Sequence, residues 1–347
     1  MKLIGILTIG LLCVAGCSED NPVIPSVKKE NIFAIYFLKD TTLTIKNIMN
    51  SNSHPFMTNL GGLKLADKPW ITQDDIVFYE WSSQNIYLKK NKSYFFPGQL
   101  QLNYRFPKSW TDRPWIVVAN GVPCYVGYFL TEQSTNLYPF PEINALHVGL
   151  YPTDILTSTW DWWFTGQDIR FNESVKEALI QCGLYHGGID VSIDTTNLPI
   201  KVFSDTTVEY TLKFQNNDKD NIYIFDPDKV DQGIFHYYSG GLNFLNVETG
   251  ESYSTKNWKG KETGSLFEEF HSEWYTVLKS GESTKRTFRL KSSPSIILPG
   301  TYLVQGHYST PQYGMEKNIR VASQGRYYVS GGEVHTDTVR ITISKVY

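Results

Sequence analysis

After about residue 31 the chain runs in short alternating or continuous apolar stretches punctuated by Gly, Pro, Asn and Asp, the pattern of strands and turns. Ile32 to Leu38 is apolar over the length of one strand. Between Trp115 and Phe129 two β-prone runs flank Asn120-Gly121, whose backbones tolerate the positive φ of a type I′ turn, so a hairpin is expected there. Pro123 lacks an N–H and belongs at the start or edge of the second strand of that hairpin. Val208, Tyr210, Leu212 and Phe214 alternate, Asn216-Asn217-Asp218 turns, and Asn221 to Phe225 returns. Further strands are expected at Leu242–Val247, Thr287–Leu290, Tyr302–Tyr308 and Thr338–Ile343, with turns at Thr249-Gly250, Pro299-Gly300 and Gly331-Gly332.

Helical spacing is rare. Val175, Ala178, Leu179 and Cys182 fall at i, i+3, i+4 and i+7 behind a capping Asn172, with Gly183 at the expected stop. A second helix is expected to start at Thr72, which has Asp75 at capping-box spacing. Ser265 and Glu268 have the same spacing within the long segment Asn257–Trp274, where a short helix is expected across one end of the strands. The pattern changes near Thr195–Pro199, from mixed strands and short helices to strand and turn. The fold class expected is mainly β: an N-terminal α+β domain over 31–194, followed by an antiparallel β-sandwich over 198–347.

The first 30 residues follow a different pattern. Lys2 precedes an apolar run, Leu3 to Leu12, too short for the ~20 residues that span a bilayer as a helix. Val14-Ala15-Gly16-Cys17 follows and resembles the lipobox of bacterial lipoproteins. That resemblance implies a signal peptide over 1–16, lipidation of Cys17 with a diacylglyceryl group and an amide-linked chain, and a stable anchor. Residues 17–30 hold two prolines and few apolar groups, so they read as a solvated tether. Ser18 after the cysteine is similar to lipoproteins sorted to the outer membrane, and Glu19-Asp20 to the acidic signals of surface-exposed ones. The expected location is the outer membrane, in either leaflet.

The sandwich resembles an immunoglobulin-like domain. The residues carrying the likeness are Ser280-Gly281-Glu282-Ser283 before a strand, Pro299-Gly300-Thr301-Tyr302 opening the next, and the final alternating strand. Tyr302 looks like the tyrosine of a tyrosine corner, whose hydroxyl bonds back to nearby backbone. The Cys…Trp…Cys set of antibody domains is missing.

Composition narrows the functions. The 347 residues contain 22 Tyr, 19 Phe and 9 Trp, a mix that suits pleated surfaces. With 32 basic and 35 acidic residues the net charge is −3, without the basic stripe of a nucleic-acid binder. Cys13 leaves with the signal and Cys17 takes lipid, so Cys124 and Cys182 remain, either as a disulfide or as two packed thiols.

Catalytic signatures are absent from the sequence: it has no GxSxG, HExxH, P-loop or dinucleotide fingerprint, and the lone S-x-x-K, Ser26 to Lys29, sits in the tether. The seven histidines show no metal-ligand spacing. Asp218, Asp220, Asp226, Asp228 and Asp231 do not match a calcium loop, and Asp226-Pro227-Asp228 reads as a turn. No metal and no cofactor are expected. The aromatic run Trp160-Asp161-Trp162-Trp163-Phe164, followed by Asp168 and Arg170, either packs in the core or offers indoles to a sugar or a protein partner. The expected function is a lipid-anchored envelope protein with a non-catalytic binding or structural role, partnered by the membrane and by a protein or glycan. Trp160, Trp162, Trp163 and Asp168 are the candidate ligand-binding residues. The alternatives are a glycan-handling enzyme or binding protein with its site in the N-terminal domain, at Trp160, Asp161, Trp162, Asp168 and His186, and a subunit of an envelope assembly.

Overall fold

The hairpin at Asn120-Gly121 lies at the centre of the first half of a computed structural model. Asn120 (φ 50°) and Gly121 (φ 78°) form the left-handed turn. The structure describes residues 31–49, 60–96, 110–131, 134, 137–144, 155–159, 168–195, 200–203, 207–230, 241–254, 272–291, 297–310, 327–329 and 332–344. Among these no helix is long and apolar enough to cross a membrane.

The strands of the first half, in chain order, are β1 (Phe33–Phe37), β2 (Ile71–Thr72), β3 (Ile76–Glu80), β4 (Asn85–Leu88), β5 (Pro114–Ala119), β6 (Val122–Leu130), β7 (Glu142–Asn144), β8 (Ile155–Thr157) and β9 (Tyr185–His186). They form two sheets, ordered β2-β1-β5-β6-β7 and β8-β4-β3-β9. The β5 sequence is apolar throughout because both of its faces are covered. Trp115, Val117 and Ala119 face a core shared with the helix Glu173–Gln181 and the second sheet, while Ile116 and Val118 face a smaller core beneath Tyr138 and Phe140. Pro123 pairs with Val118 where the β5–β6 register shifts.

The helix Glu173–Gln181 forms for the reasons its sequence gives. The Asn172 side chain accepts from the backbone N–H groups of Ser174 and Val175, and Val175, Ala178 and Leu179 are buried. At its end Gly183 N–H donates to the Ile180 carbonyl and Leu184 N–H to the Leu179 carbonyl, a Schellman closure. The helix expected from Thr72 stops after one 3₁₀ turn, Gln73–Asp75. Thr72 and Asp75 do form the capping box, but the following Ile-Val-Phe-Tyr run pairs with β4 as strand β3.

The second half continues with β10 (Ile189–Ile193), β11 (Lys201–Val202), β12 (Thr207–Asn216), β13 (Asn221–Phe225), β14 (Leu242–Asn246), β15 (Ser252–Ser254), β16 (Tyr275–Leu278), β17 (Ser283–Lys291), β18 (Gly300–Thr310), β19 (Tyr327–Val329), β20 (Gly332–His335) and β21 (Val339–Ile343). One sheet centres on β12, which pairs antiparallel with β10, β11 and β17. Facing strands are ordered β15-β14-β18 with β20 and β21 both on β18, and β16-β13-β19 forms a further sheet. Val208, Tyr210, Leu212 and Phe214 all point into one core with Phe244, Tyr302 and Val304. The molecule is therefore mainly β, an α+β half followed by a mainly antiparallel sandwich in which β13 and β19 pair parallel. Strand β10 lies on the N-terminal side of the compositional change at 195–199, yet it is hydrogen-bonded into the sandwich. Tyr302 makes the corner contact: its hydroxyl donates to the Leu298 carbonyl at 2.7 Å.

Candidate functional site

Cys17 with its tether, the run Trp160, Asp161, Trp162, Trp163, Phe164, and the helix expected around Ser265 lie outside the described residues. Asp168 lies within them, and Arg170 occupies its carboxylate. The Arg170 Nε donates to both carboxylate oxygens at 3.0 Å, and its Nη2 reaches Oδ2 at 2.5 Å. Burial works against the charge of Arg170, and Asp168 beside it more than offsets this, so the guanidinium pKa lies above its ordinary value. The remaining Arg170 Nη1 donates to the Ser158 carbonyl. The clasp thus joins residues on either side of the aromatic run.

Behind the clasp stands a pair of buried tyrosines. The Tyr79 hydroxyl donates to Gln84 Oε1 at 2.6 Å and also hydrogen-bonds Tyr125. Burial pushes Tyr79 up to about 12 and Tyr125 well above its usual range, so both stay neutral. With Trp115 and Ser158 they line a small, mainly apolar cavity. Such a group can orient and stabilise; neither phenol can act as a base near neutral pH.

Cys124 and Cys182 stand as thiols, both half-buried at the margin of the same core. Burial pushes the Cys124 thiol up, which makes it a poor nucleophile.

Among the described residues, a histidine and two carboxylates converge where the two halves meet. Strand β9 pairs parallel with β3 and brings His186 opposite Glu80. The imidazole packs on Phe78, ring centroids 4.5 Å apart. Its Nδ1 faces the β12–β13 turn, 3.1 Å from Asp218 Oδ1 and 3.8 Å from Asp220 Oδ2. The side chain of Asp218 is fully buried, whereas that of Asp220 is 48% exposed. Burial raises the Asp218 carboxyl, but His186 and the N–H groups of Asp220 and Gly188 outweigh it and hold the pKa below the usual range.

Backbone contacts lock the same junction. Ile189 N–H donates to Ser82 Oγ at 3.1 Å, Asn217 N–H to the Gly188 carbonyl at 3.0 Å, and Trp81 N–H to the His186 carbonyl at 2.8 Å. Ser280 Oγ donates to the Asp218 carbonyl at 2.6 Å, and Asn216 Nδ2 to the carbonyls of Asp220 and Leu278. Phe78 of β3 packs against the sandwich core. Sequence spacing could not reveal this cluster, because all of β12 separates His186 from Asp218. The local signal that could have marked the junction is Gly187-Gly188, a pair that admits close backbone approach.

Compared with known proteins, the chain matches no family model and no curated protein.

Proposed function

We propose that this chain is an outer-membrane lipoprotein whose body, from Asn31 onward, serves as a non-catalytic binding or structural module held off the membrane by the tether after Cys17. The observation that carries the second part of this reading is the polar junction around His186 and Gly188. Ser82, Gly188, Asn217 and Asp218 bond across it, and residues 31–347 pack as one compact unit. A module that must present a surface at a fixed angle benefits from such a joint, since independent domains would spread a partner's contacts over many orientations. The lipobox residues 14–17 and the polar, proline-bearing tether support the anchoring part.

Metabolic labelling with an alkyne analogue of palmitate tests the anchor. The wild-type chain takes the label and Cys17→Ala does not; label on both, or on neither, overturns the assignment.

A second reading, glycan handling at Trp160–Trp163, is favoured by the Asp168–Arg170 clasp, which joins both ends of that segment at Ser158 and Arg170. Trp162→Ala then abolishes glycan binding with little loss of stability. An indole packed in the core would instead cost about 3–5 kcal/mol, measured by denaturant titration.

A further inference from the structure

We propose that His186, Asp218 and Asp220 form a binding site for a divalent transition-metal ion that clips the first half of the molecule to the sandwich. The three donor atoms come from two separate elements, strand β9 and the β12–β13 turn, and all lie within 4.8 Å of one another. An ion bound at about 2.0–2.2 Å from nitrogen and oxygen holds neighbouring donors a little over 3 Å apart. The Nδ1–Oδ1 separation of 3.1 Å already meets that requirement. The 3.8 Å gap to Asp220 closes by rotation of a side chain that is 48% exposed and has room to move.

The other two donors are pre-oriented. Asp218 has its Oδ2 fixed by Gly188 N–H at 3.2 Å and its Oδ1 by Asp220 N–H at 3.0 Å. The His186 ring packs against Phe78 at a tilt of 40°, and its backbone is bonded into the sheet beside Trp81. Second contacts of this kind fix ligand orientation and raise affinity. Two carboxylates facing one imidazole leave excess negative charge whether or not the imidazole is protonated, and a dication neutralises it. One imidazole nitrogen with two carboxylate oxygens suits zinc, manganese, iron(II), cobalt or nickel, while calcium and magnesium prefer all-oxygen sets. The exposed Asp220 side leaves room for water to complete the coordination.

The test uses the untagged full-length chain in detergent, stripped of metal and titrated with Co²⁺ and Zn²⁺, with Ca²⁺ as comparator. The expected result is one saturable Co²⁺ equivalent with visible d–d absorption, displaced by Zn²⁺, and a rise in the unfolding temperature. His186→Ala and Asp220→Asn each lower the affinity by more than about tenfold. Because Asp220 is half-exposed, Asp220→Asn keeps the wild-type circular dichroism and so separates lost ligation from lost fold. No saturable Co²⁺ or Zn²⁺ binding overturns the proposal, as does binding that survives Asp220→Asn unchanged. Calcium binding as tight as cobalt overturns the assigned metal class. The outcome does not depend on whether Cys17 carries lipid.

Discussion

Gly188 shows how much one residue can hold at the junction. Its φ of 72° is left-handed, and a Cβ there would come within 2.1 Å of Ser82 Oγ, the atom that accepts from Ile189 N–H. Gly121 is equally left-handed at φ 78° but has open space around the position of a Cβ. Replacing each by alanine therefore separates strain from collision. Gly121→Ala is expected to cost roughly 1–2 kcal/mol from φ alone. Gly188→Ala adds about 1–3 kcal/mol of forced displacement and loosens the Ser82 bond. Urea denaturation of both variants measures the difference, and equal costs would mean that Ser82 is not held where the structure places it. Residue-scale chemistry was the least legible part of the sequence. In the sequence His186 belongs to the glycan-handling candidates beside the tryptophans, and Asp218 to a turn and an acidic run, with nothing to link the two. They meet because β3, β9 and the β12–β13 turn converge, and no spacing rule carries that information.

Elements were legible wherever the local signal and the tertiary environment agreed. The Asn120-Gly121 hairpin, the helix capped by Asn172 and the alternating face of β12 all follow from residues within a few positions of one another. The capping box at Thr72 marks the limit of this reading. It formed, but one turn of helix could not compete with the β-branched and aromatic run that follows and with its pairing to β4. The Asp226-Pro227-Asp228 turn shows a local prediction with a larger consequence. Asp228 N–H donates to Asp226 Oδ1 as expected of the turn, but Arg286 on β17 also grips Asp226, Nε to Oδ1 at 2.7 Å and Nη2 to Oδ2 at 2.8 Å. Burial raises the Asp226 carboxyl, yet Arg286, Thr276 and the turn N–H prevail and hold the folded pKa below its ordinary value. A depressed folded pKa contributes stability that is fully present above the unfolded value of about 3.9 and is lost as pH falls through the folded pKa. Asp226→Asn should therefore be less stable than wild type by a constant amount above about pH 5, and the gap should narrow below about pH 4. Thermal unfolding across pH 2.5–7 checks this; a gap that stays constant down to the lowest pH would contradict the pairing.

At the scale of the whole molecule, the described residues form two hydrophobic cores in the first half and one in the sandwich, which could support independent domains, and the sequence suggests such a division. The junction argues otherwise. Strand β10 belongs to the sandwich sheet although it directly follows β9 of the first half, and only Gly187 and Gly188 stand between them. Phe78 crosses to the sandwich core, and Ser82, His186 and Asp218 tie the surrounding backbone. The proposed role, presenting a surface at a fixed orientation on a lipid tether, depends on this joint being stiff. Differential scanning calorimetry of the full-length chain tests it most directly. One transition, with calorimetric and van't Hoff enthalpies in agreement, is the expected result. Two resolved transitions, with Gly188→Ala shifting neither, would mean that the halves unfold independently and would contradict the account.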